Sequence, residues 1–546
     1  MYVDHLPAGA AFDFIVVGAG SAGCVLANRL SENGRHQVLL VEAGGRDTHL
    51  NFRIPLMVAN LLRDDRVTWP FMTEPQRHLK GQRMPWRRGK VLGGCSSING
   101  NVFVRGDPAE YDAWRDAGCA GWGYADLLPY FKKLEDFPQG DPAVRGTGGP
   151  IHCTRLDEQS DPLSEAFVAA AGEAGFPRSP DYNDGRHYEG AFYLQYSTRR
   201  GLRNSSSVGY LKPAARRPNL TVLLGATATR VLLAGGRATG VELRLGDTLR
   251  QVQARREVVL SAGPLQSPKL LELSGIGNAA VLQDLGIPVA HHLPGVGENL
   301  RDHPNVRVTF RCAKPITIND VVRSPWLKLR EGLRFALKRE GLLTVCSVTA
   351  GINLRSRADA RQPDLVMRLQ QLSGANRYAR TRAHGLDPFS GFAIGAMVMQ
   401  PKSVGSVHAQ SRDPLQQARM DPRYLSHEDD GRLFLEAMRL ARRLAKMPSL
   451  QPLVLEETRP GAEVVGDDEL LDHIRETVGT SWHMLGTCKM GVDPMAVVDP
   501  ELRVRGVGAL RVVDSSVFPT IPSTNTNIPT IATGEKAAAM LLAAAH

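Results

Sequence analysis

Apolar residues near the start of the chain fall in two dense runs separated by a helical spacing. Phe12–Gly18 (FDFIVVG) is apolar apart from Asp13, the pattern of a parallel strand buried on both faces. Ser21–Leu30 carries Val25, Leu26 and Leu30 at helical spacing, and Gln37–Glu42 (QVLLVE) is a second buried run. Strand, helix and strand at this length predict a βαβ unit and hence a parallel sheet. Strand character returns at Leu220–Leu224, Val231–Leu233 and Val258–Gly263, then in isolated runs at Leu365–Leu369 and Phe392–Met399. Residues 120–160 are rich in Gly, Pro and charge and read as loop. Ser324–Gly341 reads as an amphipathic helix, with Trp326, Leu329, Leu333 and Leu337 on one side and Lys and Arg on the other.

With 546 residues the chain exceeds one small core and suits two domains. Charge adds a local feature. Between Arg311 and Arg382 there are fifteen Lys and Arg against five Asp and Glu, so this stretch alone matches the whole chain's excess of +10. Such a surface is either simply solvated or meets anionic lipid, an acidic electron acceptor or an anionic substrate. No nucleic-acid-binding motif accompanies it, so nucleic acid is not an expected partner. The seven cysteines are widely spread with no CxxC pair, which argues against a disulfide framework and a zinc site and for a reducing, cytoplasmic setting. The first residues lack the features of a secretory signal, and no run reaches membrane-spanning length. Peripheral contact with the inner membrane surface, through the amphipathic helix, is the alternative to a fully solvated protein.

The chemistry enters with Gly18-Ala-Gly20-Ser-Ala-Gly23, which closes the first strand and opens the first helix. The first glycine allows the tight turn, the second lets a pyrophosphate approach the backbone, and the third lets helix and strand pack closely. Glu42 ends the second strand, where a carboxylate bonds ribose hydroxyls. These features predict dinucleotide binding and do not separate NAD from FAD.

Longer segments make that separation. Arg88–Gly106 (RGKVLGGCSSINGNVFVRG) and Ser261–Gly277 (SAGPLQSPKLLELSGIG) resemble the two signatures of the glucose–methanol–choline family of FAD-dependent oxidoreductases. Ser481–Gly491 (SWHMLGTCKMG), Asp514–Pro519 (DSSVFP) and Asn525–Thr530 (NTNIPT) match the family's C-terminal segments. The resemblance implies an α/β fold, in which a Rossmann-like FAD-binding domain is interleaved with an α+β substrate-binding domain containing a mainly antiparallel sheet. The expected FAD-binding domain comprises 1–160, 220–310 and 470–546, and the substrate domain 161–219 and 311–469.

The resemblance further implies FAD-dependent oxidation of an alcohol to an aldehyde, with dioxygen or a quinone as acceptor. His483 is the expected general base, facing flavin N5 and the substrate oxygen, and Asn527 its expected partner. Besides Gly18, Gly20, Gly23 and Glu42, the FAD site is expected to include Ser21, Ala22, Ala43, Trp69, Arg88 and Gly89. Gly93, Gly94, Asn99, Gly100 and Val102 follow from the first signature, with small residues placing N–H groups against the flavin's pyrimidine edge. Ala228, Ala262, Gly263, Asp514, Ser515, Asn527, Ile528 and Thr530 complete the set.

Departures from relatives carry information. Some members bind FAD covalently through a His just before the Asn of the first signature; here Ile98 stands there, so FAD is expected to be non-covalent. Choline-oxidising relatives pair the ammonium with a Glu, and Thr349 occupies that place, which disfavours choline. Trp482 is expected to wall the substrate cleft. Arg368 is either a surface residue or a contact for a substrate carboxylate. Two other activities on this fold stay open: an FAD-containing lyase and a fatty-acid photodecarboxylase. Cys346 lies near the latter's cysteine but off its register.

Overall fold

The two apolar runs form adjacent parallel strands in the computed structural model, which describes residues 2–7, 9–375 and 385–545. Arg377, Arg380 and Arg382 of the basic stretch lie outside the described residues. Ala11–Val17 pairs with Val38–Glu42, and Leu220–Leu224 and Tyr2–Val3 extend the sheet on that side. Phe14–Val17 and all of Val38–Glu42 are buried, as a sheet covered on both faces requires. On the other side lies the long strand Thr248–Leu260. Its last residues pair with Ala11–Val17 on one edge and with Leu510–Val512 on the other. Its first half folds back antiparallel onto Arg237–Leu245, which pairs with Ala226–Ala234. One sheet is thus assembled from the beginning, the middle and the end of the chain.

Two helices on this sheet bring their N-termini to one place. Ser21–Ser31 packs against Asn527–Ala544, and Gly534 is the point of closest approach: a Cβ there would lie 3.1 Å from the Val25 Cβ and 3.2 Å from the Ala22 Cα. Arg29 clamps the buried Glu535, with Nη2 to Oε1 at 2.7 Å and Nε to Oε2 at 2.9 Å, and the Tyr210 hydroxyl donates to the same carboxylate at 2.8 Å. At the other end of the pair, the Ser21 hydroxyl donates to Asn527 Oδ1 at 2.8 Å.

The second sheet is antiparallel. Its strands run in the order Val454–Arg459, Pro304–Cys312, Gly391–Val398, Leu365–Gln370, Val348–Leu354 and Gly190–Tyr193. Alternation decides its two faces. Val306, Val308, Met367, Leu369 and Ile394 join an apolar core with residues of helices Glu428–Ala445 and Pro162–Glu173. Asn305, Arg307, Arg368 and Gln370 turn the other way, onto a large cavity. The interleaved α/β architecture is the one the motifs imply. The expected boundary at residue 310 falls inside Pro304–Cys312, which pairs only with strands of the second sheet.

Residues 120–160 are not all loop: Tyr124–Leu134 is a helix that buries Leu127, Phe131 and Leu134. Pro129 removes one donor from its ladder, and burial of that apolar face outweighs the local cost. All seven cysteines are free. No described helix is long and apolar enough to cross a membrane.

Candidate active site

The cavity, about 540 Å³, opens where the Gly-rich turn, the two helix N-termini and the polar face of the second sheet meet. Gly18 has φ +102°, and a Cβ there would come within 2.4 Å of the Ser261 carbonyl oxygen. Gly20 behaves differently. A Cβ there meets only one protein atom, at 3.8 Å, and Gly100 and Gly263 would meet none within 4 Å, although all three line the cavity. Their missing side chains leave a smooth cradle open to a ligand. Glu42 lines the same wall; its two oxygens accept from Ala19 N at 3.0 Å and Gly44 N at 2.8 Å, and each keeps an acceptor site. Burial raises its pKa to about 7, against the pull of those two N–H groups. Asp514 accepts from Gly263 N, Ser267 Oγ and Ser516 N at 2.6–2.9 Å. Acceptors for hydroxyls, glycine cradles and two helix N-termini for phosphate charge fit FAD.

At the other end of the cavity sits His483, and its tautomer is fixed by its neighbours. His303 Nε2 lies 2.9 Å from the Met399 carbonyl oxygen, which only accepts, so that nitrogen carries the proton. His303 Nδ1 is then bare and accepts from His483 Nδ1, 3.0 Å away. His483 Nε2 is left with its lone pair, accepting from Asn525 Nδ2 at 2.9 Å. Both imidazoles are neutral. Burial lowers His303 to about 4, and burial, the neighbouring His303 imidazole and the charges of Arg88 and Arg368 hold His483 well below the ordinary imidazole value.

Asp302 holds both rings through the backbone. Its Oδ1 accepts from His303 N at 2.9 Å and His483 N at 2.7 Å, and its Oδ2 takes the hydroxyls of Tyr424 and Thr480. Burial pushes this carboxyl up, and the four donors oppose the shift. Trp482, immediately before His483, lies in the left-handed region at φ +58°. A bulky residue there is strained. The Thr480 hydroxyl accepts its N–H at 2.8 Å, and Arg88 Nη1 donates to its carbonyl at 3.0 Å.

Most expected residues meet in this cavity, and several do not. Gly18, Gly20, Ser21, Ala22, Glu42, Ala43, Trp69, Arg88, Gly89 and Gly94 line it. So do Asn99, Gly100, Val102, Ala228, Ala262, Gly263, Asp514, Ser515, Asn527 and Thr530, together with Trp482, His483 and Arg368. Gly23 lies behind the wall, where a Cβ would strike the Gly18 carbonyl oxygen at 1.9 Å. Gly93 is a turn residue whose N–H donates to Ala19 O at 2.8 Å, and Ile528 is buried in the apolar core. Asn527 is not the partner of His483. It is the first residue of the final helix and bonds Ser21, whereas Asn525, two residues earlier and outside the helix, reaches the imidazole. Thr349 also faces away: its hydroxyl bonds Ser164 at 2.6 Å and Gln371 at 3.1 Å. A β-bulge between Val348 and Ala350 shifts the alternation and puts Val348 on the cavity side instead. Arg368 is a cavity residue rather than a surface one. His303, Asp302, Met399 and Asn525 were not anticipated; the adjacent acid and imidazole of Asp302-His303, at the start of a strand, are the one sequence signal that pointed there.

Residues 12–305 match the family model for the N-terminal part of GMC oxidoreductase, and residues 401–534 match that for the C-terminal part. The chain belongs to the GMC oxidoreductase family. An oxygen-dependent choline dehydrogenase from Photobacterium profundum is 40% identical over 534 residues, 97% of this chain and 93% of that one. Pyridoxine 4-oxidase from Mesorbium loti superposes with a TM-score of 0.87 at 30% identity, over 96% of this chain and 98% of the other. A variant of formate oxidase from Aspergillus oryzae RIB40 gives a TM-score of 0.90 at 27% identity over 99% of both chains. GMC oxidoreductases are FAD-dependent and act on CH–OH groups. In this GMC oxidoreductase the cradle of Gly20, Gly100 and Gly263, with Glu42 and Asp514, is the set that would hold FAD, and His483 lies at the far end of the same cavity.

Proposed function

We propose that this GMC oxidoreductase oxidises an alcohol other than choline to an aldehyde, with His483 as the general base. The observation that carries the reading is the bare Nε2 of His483, held toward the cavity by His303 and Met399. FAD, when bound, supplies the acceptor for the hydride of the carbinol carbon. The chain's own groups handle the proton. A hydroxyl that enters beside His483 gives its proton to Nε2 as its oxygen takes the amide of Asn525. Nδ1 keeps its proton throughout, because His303 offers it only a lone pair.

Two finer points follow. Non-covalent binding of FAD is supported by Ile98, which packs with Phe52, Leu61 and Val91 and offers no nucleophile. Rejection of choline is supported by the cavity's charge. Among the described residues its wall holds Arg63, Arg87, Arg88, Lys269, Arg307 and Arg368, and its only acids are Glu42 and Asp514, both engaged by backbone N–H groups. An ammonium entering it meets no acid on the wall beside the base, and Asp302, behind His483, is already engaged by four donors.

Helix Pro325–Lys338 supports a peripheral contact with anionic lipid. It buries only Glu331 and Phe335, while Trp326, Leu329, Leu333 and Leu337 are 71%, 53%, 52% and 80% exposed along one stripe. Exposed Arg330, Arg334 and Lys338 flank that stripe. An apolar ridge edged with cations matches a bilayer surface with negative headgroups. Such a position suits a quinone as the returning oxidant; dioxygen is the other.

Five measurements test these readings. Acid precipitation should leave the flavin in the supernatant; yellow protein in the pellet would rule out non-covalent binding. In the dark and without oxygen, a good alcohol should bleach the wild-type flavin, and His483→Ala should slow that step about 10²–10⁴-fold, or roughly 3–5 kcal/mol of barrier. Because His483 titrates well below the ordinary imidazole, the wild-type rate should stay level as pH falls from neutral through about 6.5 and drop only in stronger acid. A midpoint at the ordinary imidazole value, or a His483→Ala variant that reduces normally, would remove His483 as the base. Choline should reduce the flavin more slowly than its neutral isostere 3,3-dimethylbutan-1-ol. Finally, the protein should sediment with vesicles containing phosphatidylglycerol and not with phosphatidylcholine alone, and Leu333→Glu should abolish this; equal sedimentation of wild type and variant would exclude the helix.

A further inference from the structure

We propose that Arg368 is an anion clamp in the substrate cavity, so that the alcohol this enzyme prefers carries a carboxylate. The proposal rests on the alcohol-oxidation reading above and names its substrate class.

Strand Leu365–Gln370 alternates strictly. Leu365, Met367 and Leu369 enter the apolar core, and Arg368 and Gln370 line the cavity. Arg368's cross-strand neighbours are Gly351 on one side and Gly395 on the other. The absence of side chains there gives a large group room to lie flat on the sheet: a Cβ at Gly351 would come within 2.7 Å of Arg368 Nη1. The guanidinium stands over the Phe192 ring, 5.1 Å from its centroid.

What the guanidinium lacks is an anion. Nη1 and Nη2 are both buried, and neither has a hydrogen-bond partner among the described residues. The phenols nearby do not supply one. Tyr182, Tyr188 and Tyr196 donate their protons to the carbonyls of Phe103, Ser523 and Val348, and burial raises the pKa of each. A buried guanidinium without a partner is costly, and an anion placed on it removes that cost. No other cation on the cavity wall leaves both terminal nitrogens in this condition. Arg88 bonds the Trp482 carbonyl, Arg87 pairs with Asp65, and Lys269 bonds the carbonyls of Pro414 and Gln416.

A carboxylate answers that deficit. It is planar, carries one charge and accepts two parallel N–H bonds from one fork. A phosphate dianion fits less well, since a single fork over an aromatic shelf leaves half its charge uncompensated. The clamp also acts on the base. Arg368 is one of the charges that hold His483 below its ordinary range, so a carboxylate on Arg368 makes His483 a stronger base as the substrate binds.

The test uses the purified protein with its own flavin and non-reacting ligands, so that it stands apart from turnover. Butyrate, butyramide and butyl phosphate are titrated while flavin absorbance is followed. Butyrate should bind at least about tenfold tighter than butyramide, and Arg368→Gln should weaken butyrate about 10–100-fold and leave butyramide unchanged. Arg368→Lys, which keeps the charge and loses the fork, should lose less and covers the case in which the Gln variant does not fold. Equal binding of butyrate and butyramide by the wild type, tightest binding of butyl phosphate, or unchanged butyrate affinity in both variants would each overturn the clamp. Failure of every alcohol to bleach the flavin is a different result and would overturn the alcohol-oxidation reading itself.

Discussion

A carboxylate buried away from water must be fully hydrogen-bonded, and at Asp302 that demand organises the His483 end of the cavity. Its four donors come from the chain entering strand Pro304–Cys312, from the segment that carries Trp482 and His483, and from Tyr424. Any arrangement that satisfies all four fixes the backbone of His303 and His483 together. Ring orientation then follows from Met399, because a carbonyl oxygen dictates which nitrogen of His303 is protonated. The strain at Trp482 is tolerated within the same frame. The unprotonated Nε2 of His483, the nitrogen of the proposed base, is therefore a property of the fold rather than of a single side chain.

Charge divides the cavity into two regions with different needs. The dinucleotide end meets a polyanion with helix N-termini, glycines and a few acceptors, most of which the backbone supplies. The substrate end is built on an antiparallel sheet, where alternation alone sets which side chains face inward. Arg63, Arg88 and Lys269 bond carbonyls there and Arg87 a surface acid, whereas both terminal nitrogens of Arg368 are buried without a partner among the described residues. The same sheet that isolates the apolar core from the cavity thus places the charge of Arg368 where it acts on His483.

The dinucleotide end was legible in the sequence because its chemistry is local. Gly18, Gly20 and Glu42 lie within one strand–helix–strand unit, and their spacing reflects short-range geometry. His483 was legible through the segment around it. The residues that complete the site were not, since they depend on long-range register. Asn525 and Asn527 are equally good readings of TNTN until the start of the final helix is known. Thr349 and Val348 exchange faces through a single bulge, which leaves no mark in the apolar pattern. His303 enters only because strand Pro304–Cys312 runs beside the segment of His483, more than 170 residues later. The helix Tyr124–Leu134 was hidden for the opposite reason: local composition argued against it, and burial decided it.

The order of assembly follows from which strands and helices touch. The edge of Thr248–Leu260 that receives Leu510–Val512 is complete only after that distant segment has been made. Helix Ser21–Ser31 rests on Asn527–Ala544, which is made long after it. At roughly 5–20 residues per second, that strand edge stays unpaired on the ribosome for roughly 13–50 s. Until Asn527–Ala544 has been made the nucleotide cradle therefore lacks one of its two helices, and only then do both N-termini face the site.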